Sequence, residues 1–187
     1  SSNEWITTDA FAEDMSIDAG KPRTISIWFK PYLQSHWASA PNHSSQDPGL
    51  YWMGTTDNRF SPLSDGWGLR GFWGGSVANN NNYTRIRSQH NGWDPEIQVN
   101  EGMMNRWVHA AHIYTGTNME MYVDGIKRYD AARGMYTTGK AQANYTYLRF
   151  GMFHTWTNVR RTFKGLIDDF RVYKKAFSSS EVQALFG

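Results

Sequence analysis

The sequence predicts an all-β fold, a two-sheet antiparallel β-sandwich with a short C-terminal helix. Three observations lead to this prediction. Apolar and polar residues alternate with period two along several segments, clusters of Gly, Asn, Ser and Pro separate these segments, and helical spacing is found only at the C-terminus. The 187 residues suit one domain, spanning 1–187, and are enough to bury a core without disulfides.

The predicted strands follow one another along the chain. Residues 24–30 alternate, so that Ile25, Ile27 and Phe29 share one face. Further strand-like runs cover residues 107–114, 119–123, 145–153 and 166–173. The dipeptide Asp124-Gly125 is a strong signal for a two-residue hairpin turn. Polar stretches between the strands predict loops over residues 34–49, 56–66, 74–82, 88–95 and 154–162.

The predicted helix has signals at both of its ends. Ser178 suits the N-cap, and Glu181 three residues later completes a capping box. Val182, Leu185 and Phe186 then share a helical face. Gly187 follows as a C-terminal stop.

Composition excludes several classes of protein. The chain has no cysteine, which excludes disulfide scaffolds, Cys-based zinc sites and thiol catalysis. Lys and Arg number 19 against 17 for Asp and Glu, so no nucleic-acid partner is expected. An aromatic content of 16% argues against disorder. No apolar run reaches the length of a membrane-spanning helix, so no membrane insertion is expected.

The first residues, Ser1 to Trp5, lack the basic and apolar regions of a signal peptide. We therefore expect either a mature chain or, as we favour, a piece of a larger protein.

Three segments carry a resemblance to a known family. Residues 105–116 (NRWVHAAHIYTG) and 119–125 (MEMYVDG) resemble the W-x-H-V-A-V-T-Y-D-G … L-Y-V-N-G segment of laminin-G-like, concanavalin A-like jelly-roll domains. Residues 165–182 (GLIDDFRVYKKAFSSSEV) resemble the end of the same domains, G-x-I-D-D/E-V-R-I-Y-x-x-A-L-S-x-x-E-I. Residues 23–31 (RTISIWFKP) are similar to their early F-T-I-S-x-W-x-K-P strand.

The resemblance implies a jelly-roll of two stacked antiparallel sheets. In this family the concave face of one sheet and the adjoining loops commonly bind ligands. Members are typically modules of large secreted or surface proteins, which implies an extracellular or cell-surface location and other domains of the same parent protein as partners. The sequence departs from the family pattern at Thr115, where the family has Asp, and at His112, which replaces an aliphatic residue. If His112 faces the core, it needs a hydrogen-bond partner there.

Aromatic residues in the loop-like stretches indicate a glycan ligand. A flat ring can cover the C–H face of a sugar, while amide, guanidinium and imidazole groups bond its hydroxyls. Alternation puts Trp67 and Trp73 on one face of a strand, and the glycines between them allow close approach. The alternative for any single Trp is packing in the core or a loop. The predicted ligand contacts are Trp67, Trp73, Asn80, Tyr83, Trp93, His154, Trp156 and Arg160.

Asp168 is the candidate metal ligand. By alternation it shares a face with Leu166, Phe170 and Val172, the expected core side. A buried carboxylate needs backbone donors, a cation or a proton, and many relatives of the family that the sequence resembles hold a structural calcium near a sheet edge. The alternative is that Asp168 accepts hydrogen bonds from a neighbouring turn. Further ligands could come from Asp9, Asp14 and Asp18.

No catalytic arrangement is recognisable, so no enzyme activity is expected. The close set of carboxylates that jelly-roll glycosidases carry on one strand is missing, and so is a nucleophile elbow. His109 and His112 are three residues apart, which puts them on opposite faces of a strand.

The sequence therefore favours a non-catalytic, lectin-like carbohydrate-binding module. The main alternative is a protein-interaction or adhesion module, which predicts an exposed apolar patch instead of a polar groove. A more distant alternative is a polysaccharide hydrolase or lyase.

Overall fold

The computed structural model describes residues 6–8, 21–32, 49–54, 66–72, 84–90, 96–99, 103–132, 147–153 and 161–187. In chain order the elements of these ranges are β1 (Ile6–Thr8), β2 (Arg23–Pro31), β3 (Gly49–Gly54), β4 (Gly66–Phe72), β5 (Thr84–His90), β6 (Glu96–Val99), β7 (Val108–Tyr114), β8 (Asn118–Val123), β9 (Ile126–Ala132), β10 (Tyr147–Phe150), β11 (Met152–Phe153), β12 (Arg161–Thr162), β13 (Gly165–Tyr173) and α1 (Ser179–Phe186).

The strands form two large antiparallel sheets, which confirms the predicted sandwich. Within the described ranges, one sheet has six strands in the order β1-β10-β3-β4-β5-β6, and the other has five in the order β13-β2-β7-β8-β9. The short strands β11 and β12 pair with each other. Every pair is antiparallel, as expected when hairpins and long returns connect the strands.

The core lies between the two sheets. Ile25, Ile27 and Phe29 of β2 are fully buried in it, as their alternation predicts. The central strand β7 is buried on both of its faces. One face contributes to the core between the sheets, and Ala111 and Ile113 on the other face lie in a second cluster with Val182 of α1. The C-terminal helix therefore covers the outside of the five-stranded sheet.

The hairpin and helix-end signals are also confirmed. Asp124 and Gly125 have φ values of 50° and 73°, the left-handed pair that a tight hairpin turn requires. The Asp124 carboxylate accepts the backbone N–H of His109 at 3.0 Å. At α1, the Ser178 hydroxyl and the Glu181 carboxylate form the predicted capping box, and Gly187 ends the helix.

Some predicted boundaries are wrong. Residues 88–90 belong to β5 and residues 161–162 form β12, although both were expected in loops. The run 145–153 contains two strands, because Gly151 at φ 74° breaks it between β10 and β11. In the ranges that the structure describes, no helix is both long enough and apolar enough to span a membrane.

Candidate functional site

The candidate site is the outer face of the six-stranded sheet, the side turned away from the core. The core side of this sheet is identified by four buried residues, Tyr51, Leu69, Ile86 and Leu148. Since successive residues of a strand alternate between the two faces, the positions between these residues lie on the outer face. Arg87, between the buried Ile86 and Ser88, is half-buried, and so is Arg149 beside Leu148.

The register of the strands arranges the outer face in rows. Each row crosses the sheet, with one position from each successive strand. From one end of the sheet to the other, the rows hold Arg149, Trp52, Gly68 and Gln89, then Arg70, Arg87 and Glu96, then Phe72, Arg85 and Gln98. The positions of this face thus include one tryptophan, four arginines and two glutamines, residue types that suit the faces and hydroxyls of sugars.

Sequence reasoning missed these positions. The signal was present in β5, where Arg85 and Arg87 alternate with Ile86 and Ser88. This period-two pattern predicts a strand with one polar and one buried face. Residues 88–95 were instead expected to form a loop, and the predicted ligand contacts were mostly aromatic residues.

Of the predicted ligand contacts, only Trp67 lies in a described element. It stands near the start of β4, in register with Met53 and His90, and its side chain lies outside the described residues. Alternation places position 67 on the same side of β4 as the buried Leu69. The other predicted contacts lie outside the described residues altogether: Trp73, Asn80, Tyr83, Trp93, His154, Trp156 and Arg160.

The described strands show at which end of the sheet each of these segments is attached. Residues 73–83 connect the end of β4 to the start of β5. Residues 154–160 connect β11 to β12, and the Gly151 N–H just before β11 donates to the carbonyl of Leu50 at the same end. Residues 91–95 and Trp67 are attached at the opposite end. A seven-residue strand is about 20 Å long, so the described points of attachment of these segments lie at two separate ends of the sheet.

The expected burial of Asp168 is wrong. Asp168 is exposed, and Leu166 on the same side of β13 is 45% exposed, whereas Phe170 and Val172 do pack against the core. The register shifts between Asp168 and Arg171, and Asp169 at φ 46° lies in this irregularity. A bulge of this kind inserts one residue into the strand. The residues that face the core therefore have odd numbers before the bulge (Ile167) and even numbers after it (Phe170 and Val172).

Asp168 and Asp169 both have partners among the described residues. The Asp168 Oδ1 atom accepts the N–H of the next residue, Asp169, at 2.8 Å. The Asp169 carboxylate is paired with Arg171 at 2.6 Å. Within the described ranges no group of three His, Cys, Asp or Glu residues could hold a metal ion. The structural calcium stays a prediction, and the suggested ligands Asp9, Asp14 and Asp18 lie outside the described residues.

His112 faces the core and has the partners that its burial requires. Its Nδ1 atom is 2.7 Å from the hydroxyl oxygen of Tyr51, and its Nε2 atom is 2.7 Å from the hydroxyl oxygen of Ser88. All three residues are fully buried. They belong to β7, β3 and β5, so this polar cluster links the two sheets through the middle of the core.

His109 lies on the opposite face of β7, as the spacing of the two histidines predicts. Its Nε2 atom is 2.8 Å from the Ser26 hydroxyl, and the Trp28 and Phe186 rings pack against it with centroids 5.1 and 6.2 Å away. In the described part of the chain its Nδ1 atom has no hydrogen-bond partner. Among the described residues, therefore, no carboxylate orients His109 as one orients the histidine of a hydrolytic triad.

Burial lowers the pKa of His109 to about 4, although the negative charge of Asp124 acts in the other direction. Between pH 6.5 and pH 4 the unfolded chain therefore binds a proton that the folded chain excludes. We expect the contribution of His109 to make the free energy of unfolding about 3 kcal/mol lower at pH 4 than at pH 7. Urea denaturation of the wild type and of His109→Gln at both pH values measures this difference in the free energy of unfolding. Equal pH dependence of both proteins would contradict the assignment.

Comparisons with known structures give the same architecture. A carbohydrate-binding module of the Ruminococcus gnavus IT-sialidase matches with a TM-score of 0.68 and 12% identity over 99% of this chain and 93% of that chain. The same module bound to alpha2,3 sialyllactose matches with a TM-score of 0.61 and 13% identity, covering 89% of this chain and 83% of that one.

Two other similar structures come from larger proteins. Domain 4 of AbnA, an extracellular arabinanase from Geobacillus stearothermophilus in complex with arabinotriose, has a TM-score of 0.57 and 17% identity over 89% of this chain and 67% of that chain. The binding domain of botulinum neurotoxin serotype G has a TM-score of 0.64 and 12% identity over 100% of this chain and 40% of that chain. At these identities the likeness concerns the fold.

A search of curated proteins found no matching sequence. The family model described as the concanavalin A-like lectin/glucanases superfamily, Laminin_G_3, matches residues 2–183, nearly the whole chain. The described sheets agree with the jelly-roll sandwich of that superfamily. The chain therefore belongs to the concanavalin A-like lectin/glucanases superfamily.

Proposed function

We propose that this chain is a non-catalytic carbohydrate-binding module of an extracellular or cell-surface protein. The observation that carries the proposal is the first row of the outer face. In this row Trp52 is the cross-strand partner of Arg149 on one side and of Gly68 on the other, and Gly68 is in turn the partner of Gln89. An indole can cover the apolar face of a sugar ring. The guanidinium and amide groups on either side can bond its hydroxyls.

The comparisons support this proposal. Two of the similar structures, a carbohydrate-binding module of a sialidase and domain 4 of an arabinanase, hold alpha2,3 sialyllactose and arabinotriose. In such a module the sheet supplies a rigid surface and the connecting segments supply variable contacts. The predicted contacts at the end with residues 73–83 and 154–160 would extend the outer face: Trp73, Asn80, Tyr83, His154, Trp156 and Arg160. Trp93 would extend it at the opposite end, whereas position 67 lies on the core side of β4.

A pair of tryptophan variants tests the proposed site. Trp52→Ala is expected to weaken glycan binding about tenfold or more, because the stacking surface is lost. Trp107→Ala is the matched control, since Trp107 is 39% exposed and directly precedes β7 of the other sheet. Isothermal titration of both variants with the best glycan of a screen gives the two affinities. Equal affinity of wild type and Trp52→Ala would show that the outer face is not the site.

The loop tryptophans need a separate test. Trp73→Ala and Trp156→Ala are expected to weaken glycan binding while leaving the melting temperature nearly unchanged. A large fall in the melting temperature would assign that tryptophan to the core and remove it from the site.

One observation favours the interaction-module alternative. Four large apolar residues are exposed in the described part of the chain: Trp107, Ile126, Leu166 and Phe186. Leu166 is in register with Lys30, and Trp107 comes directly before Val108, the partner of Phe29, so both lie near the same end of the five-stranded sheet. This is the kind of patch that binds a neighbouring domain of the same protein. This second function would be supported if Trp52→Ala still binds such a domain and Trp107→Ala does not.

A further inference from the structure

We infer that the last turn of α1, residues 183–186, is a proton-sensitive latch, which covers His109 at neutral pH and separates from it in acid. This latch does not depend on the proposed glycan binding. The helix packs on the outside of the five-stranded sheet, whereas the candidate site lies on the six-stranded sheet. The two ends of α1 are attached to the sheet in different ways, and the difference makes the last turn the movable end.

Hydrogen bonds hold the N-terminal end of α1. The Thr24 hydroxyl of β2 donates to the carbonyl of Lys175 and accepts the N–H of Phe177, both at 2.9 Å. At the first residue of the helix, the hydroxyl oxygens of Ser179 and Tyr122 are 3.0 Å apart. The capping box adds its own hydrogen bonds at this end. The N-terminal end is therefore fixed to β2 and β8.

Phe186 attaches the C-terminal end of α1 to the sheet by packing. Its ring stacks on Trp28 with the centroids 5.8 Å apart and the planes 15° apart, and it lies 6.2 Å from the His109 ring. Within α1, all of which is described, only Val182 is buried. A helix of eight residues is unstable on its own, so its last turn depends on these packing contacts.

His109 is the group that the last turn covers. It is fully buried, and its Nε2 atom is 2.8 Å from the Ser26 hydroxyl oxygen. In the part of the chain that the structure describes, its Nδ1 atom has no hydrogen-bond partner. A charged imidazole donates through both nitrogens, so protonation would leave one buried N–H without an acceptor. Movement of Phe186 away from the ring would give that N–H access to water.

The charges around His109 do not make up for its burial. Asp124 and Asp169 are its acidic neighbours, but Asp124 pairs with Arg106 at 2.8 Å and Asp169 pairs with Arg171 at 2.6 Å. The side chains that β2 packs against the ring are uncharged. The carbonyl end of α1 carries partial negative charge, which favours a cation. Burial outweighs these groups and lowers the pKa of His109 to about 4.

Other carboxylates near α1 do not act on the last turn between pH 7 and pH 4. Hydrogen bonds with Lys175 and the N-cap hold the pKa of Glu181 at about 2, so the capping box persists at pH 4. Asp168 is exposed and in register with Trp28, one strand further from His109. Protonation of His109 therefore opens the C-terminal end of α1 and leaves the N-terminal end attached.

The opened latch also changes the surface of the five-stranded sheet. Phe186 is one of the exposed apolar residues of the second candidate function, and Trp28 is half-buried beneath it. Opening would uncover Trp28 and remove Phe186 from that surface. Acid would thus act on the face that could bind a neighbouring domain and spare the six-stranded sheet.

Hydrogen exchange measures the opening. The open state binds a proton that the closed state excludes, so the ratio of open to closed molecules should rise about 100-fold from pH 7 to pH 4. We expect the amides of the last turn to lose protection accordingly, after correction for the direct effect of pH on exchange. They should be far less protected than the amides of β7 at both pH values, as a local opening requires.

Variants separate the latch from general effects of acid. In Phe186→Ala the pKa of His109, followed by NMR of its imidazole protons, should rise toward the usual value of about 6.5, because water reaches the ring. Leu166→Ala is the matched control, since Leu166 is 45% exposed against 41% for Phe186, and should leave this titration unchanged. In His109→Gln the protection of the last turn should be the same at pH 7 and pH 4. If His109→Gln does not fold, Phe186→Ala still reports.

Three results would overturn the inference. An unchanged pKa of His109 in Phe186→Ala would mean that other groups bury the ring. Loss of protection at pH 4 in His109→Gln, as in the wild type, would assign the opening to other titrating groups. Equal protection of the last turn and of β7 would mean that His109 is protonated only when the whole chain unfolds.

Discussion

Replacing His112 by leucine is expected to lower the free energy of unfolding by about 4 kcal/mol, one of the two largest effects in this chain. The substitution fills most of the volume of the imidazole but leaves the hydroxyls of Tyr51 and Ser88 buried without their partner. Each stranded hydroxyl costs about 1–3 kcal/mol, because it has given up water and gained nothing in exchange. Urea denaturation of the wild type and the variant measures the difference.

A triple variant separates the hydrogen bonds from the packing. In His112→Leu, Tyr51→Phe, Ser88→Ala no polar group of the cluster remains, so most of the lost stability should return. We expect the triple variant to unfold within about 2 kcal/mol of the wild type. A triple variant that is less stable than the single variant would contradict this explanation, since the loss would then come from packing alone.

The second large effect is expected at Gly165, the first residue of β13. A Cβ atom placed there would lie 2.6 Å from Cζ of Phe163 and would also overlap the carbonyl oxygen of Lys30. A backbone oxygen cannot move aside as the end of a flexible side chain can. Gly165→Ala must therefore push β13 away from β2, at a cost of roughly 4 kcal/mol. Thermal or urea unfolding measures it.

The adjacent residue is the control for this prediction. Leu166 is 45% exposed on the same strand, so Leu166→Ala should cost about 1 kcal/mol or less. If Gly165→Ala lowers the free energy of unfolding no more than Leu166→Ala does, β13 does not approach β2 as closely as described.

The sequence predicted those parts of the fold whose signals are local. The alternation in β2, the Asp124-Gly125 turn and the Ser178 capping box each depend on a few neighbouring residues, and each is confirmed. His112 was recognised as an anomaly because a polar residue interrupted an apolar pattern. Its partners Tyr51 and Ser88 lie 61 and 24 residues away, and no local pattern could identify them.

The errors have a common physical cause. Alternation was extended through Asp168 and Asp169, but the bulge there reverses which side of β13 faces the core. A bulge depends on the register of two strands distant in sequence, so it leaves no reliable mark in one of them. The outer face was missed for a related reason. Arg87 and Arg149 become neighbours of Arg70 and Trp52 only when four strands are placed in register.

The most direct test of the proposed function is a binding screen of this chain against neutral and acidic polysaccharides, with calcium and with chelator. Reducing ends and unsaturated products are monitored in the same samples. We expect saturable binding to one class of polysaccharide without release of products. Dissociation constants between about 1 μM and 1 mM would suit one shallow site. Product release would contradict a non-catalytic module, and absence of binding across the whole panel would contradict a carbohydrate-binding one.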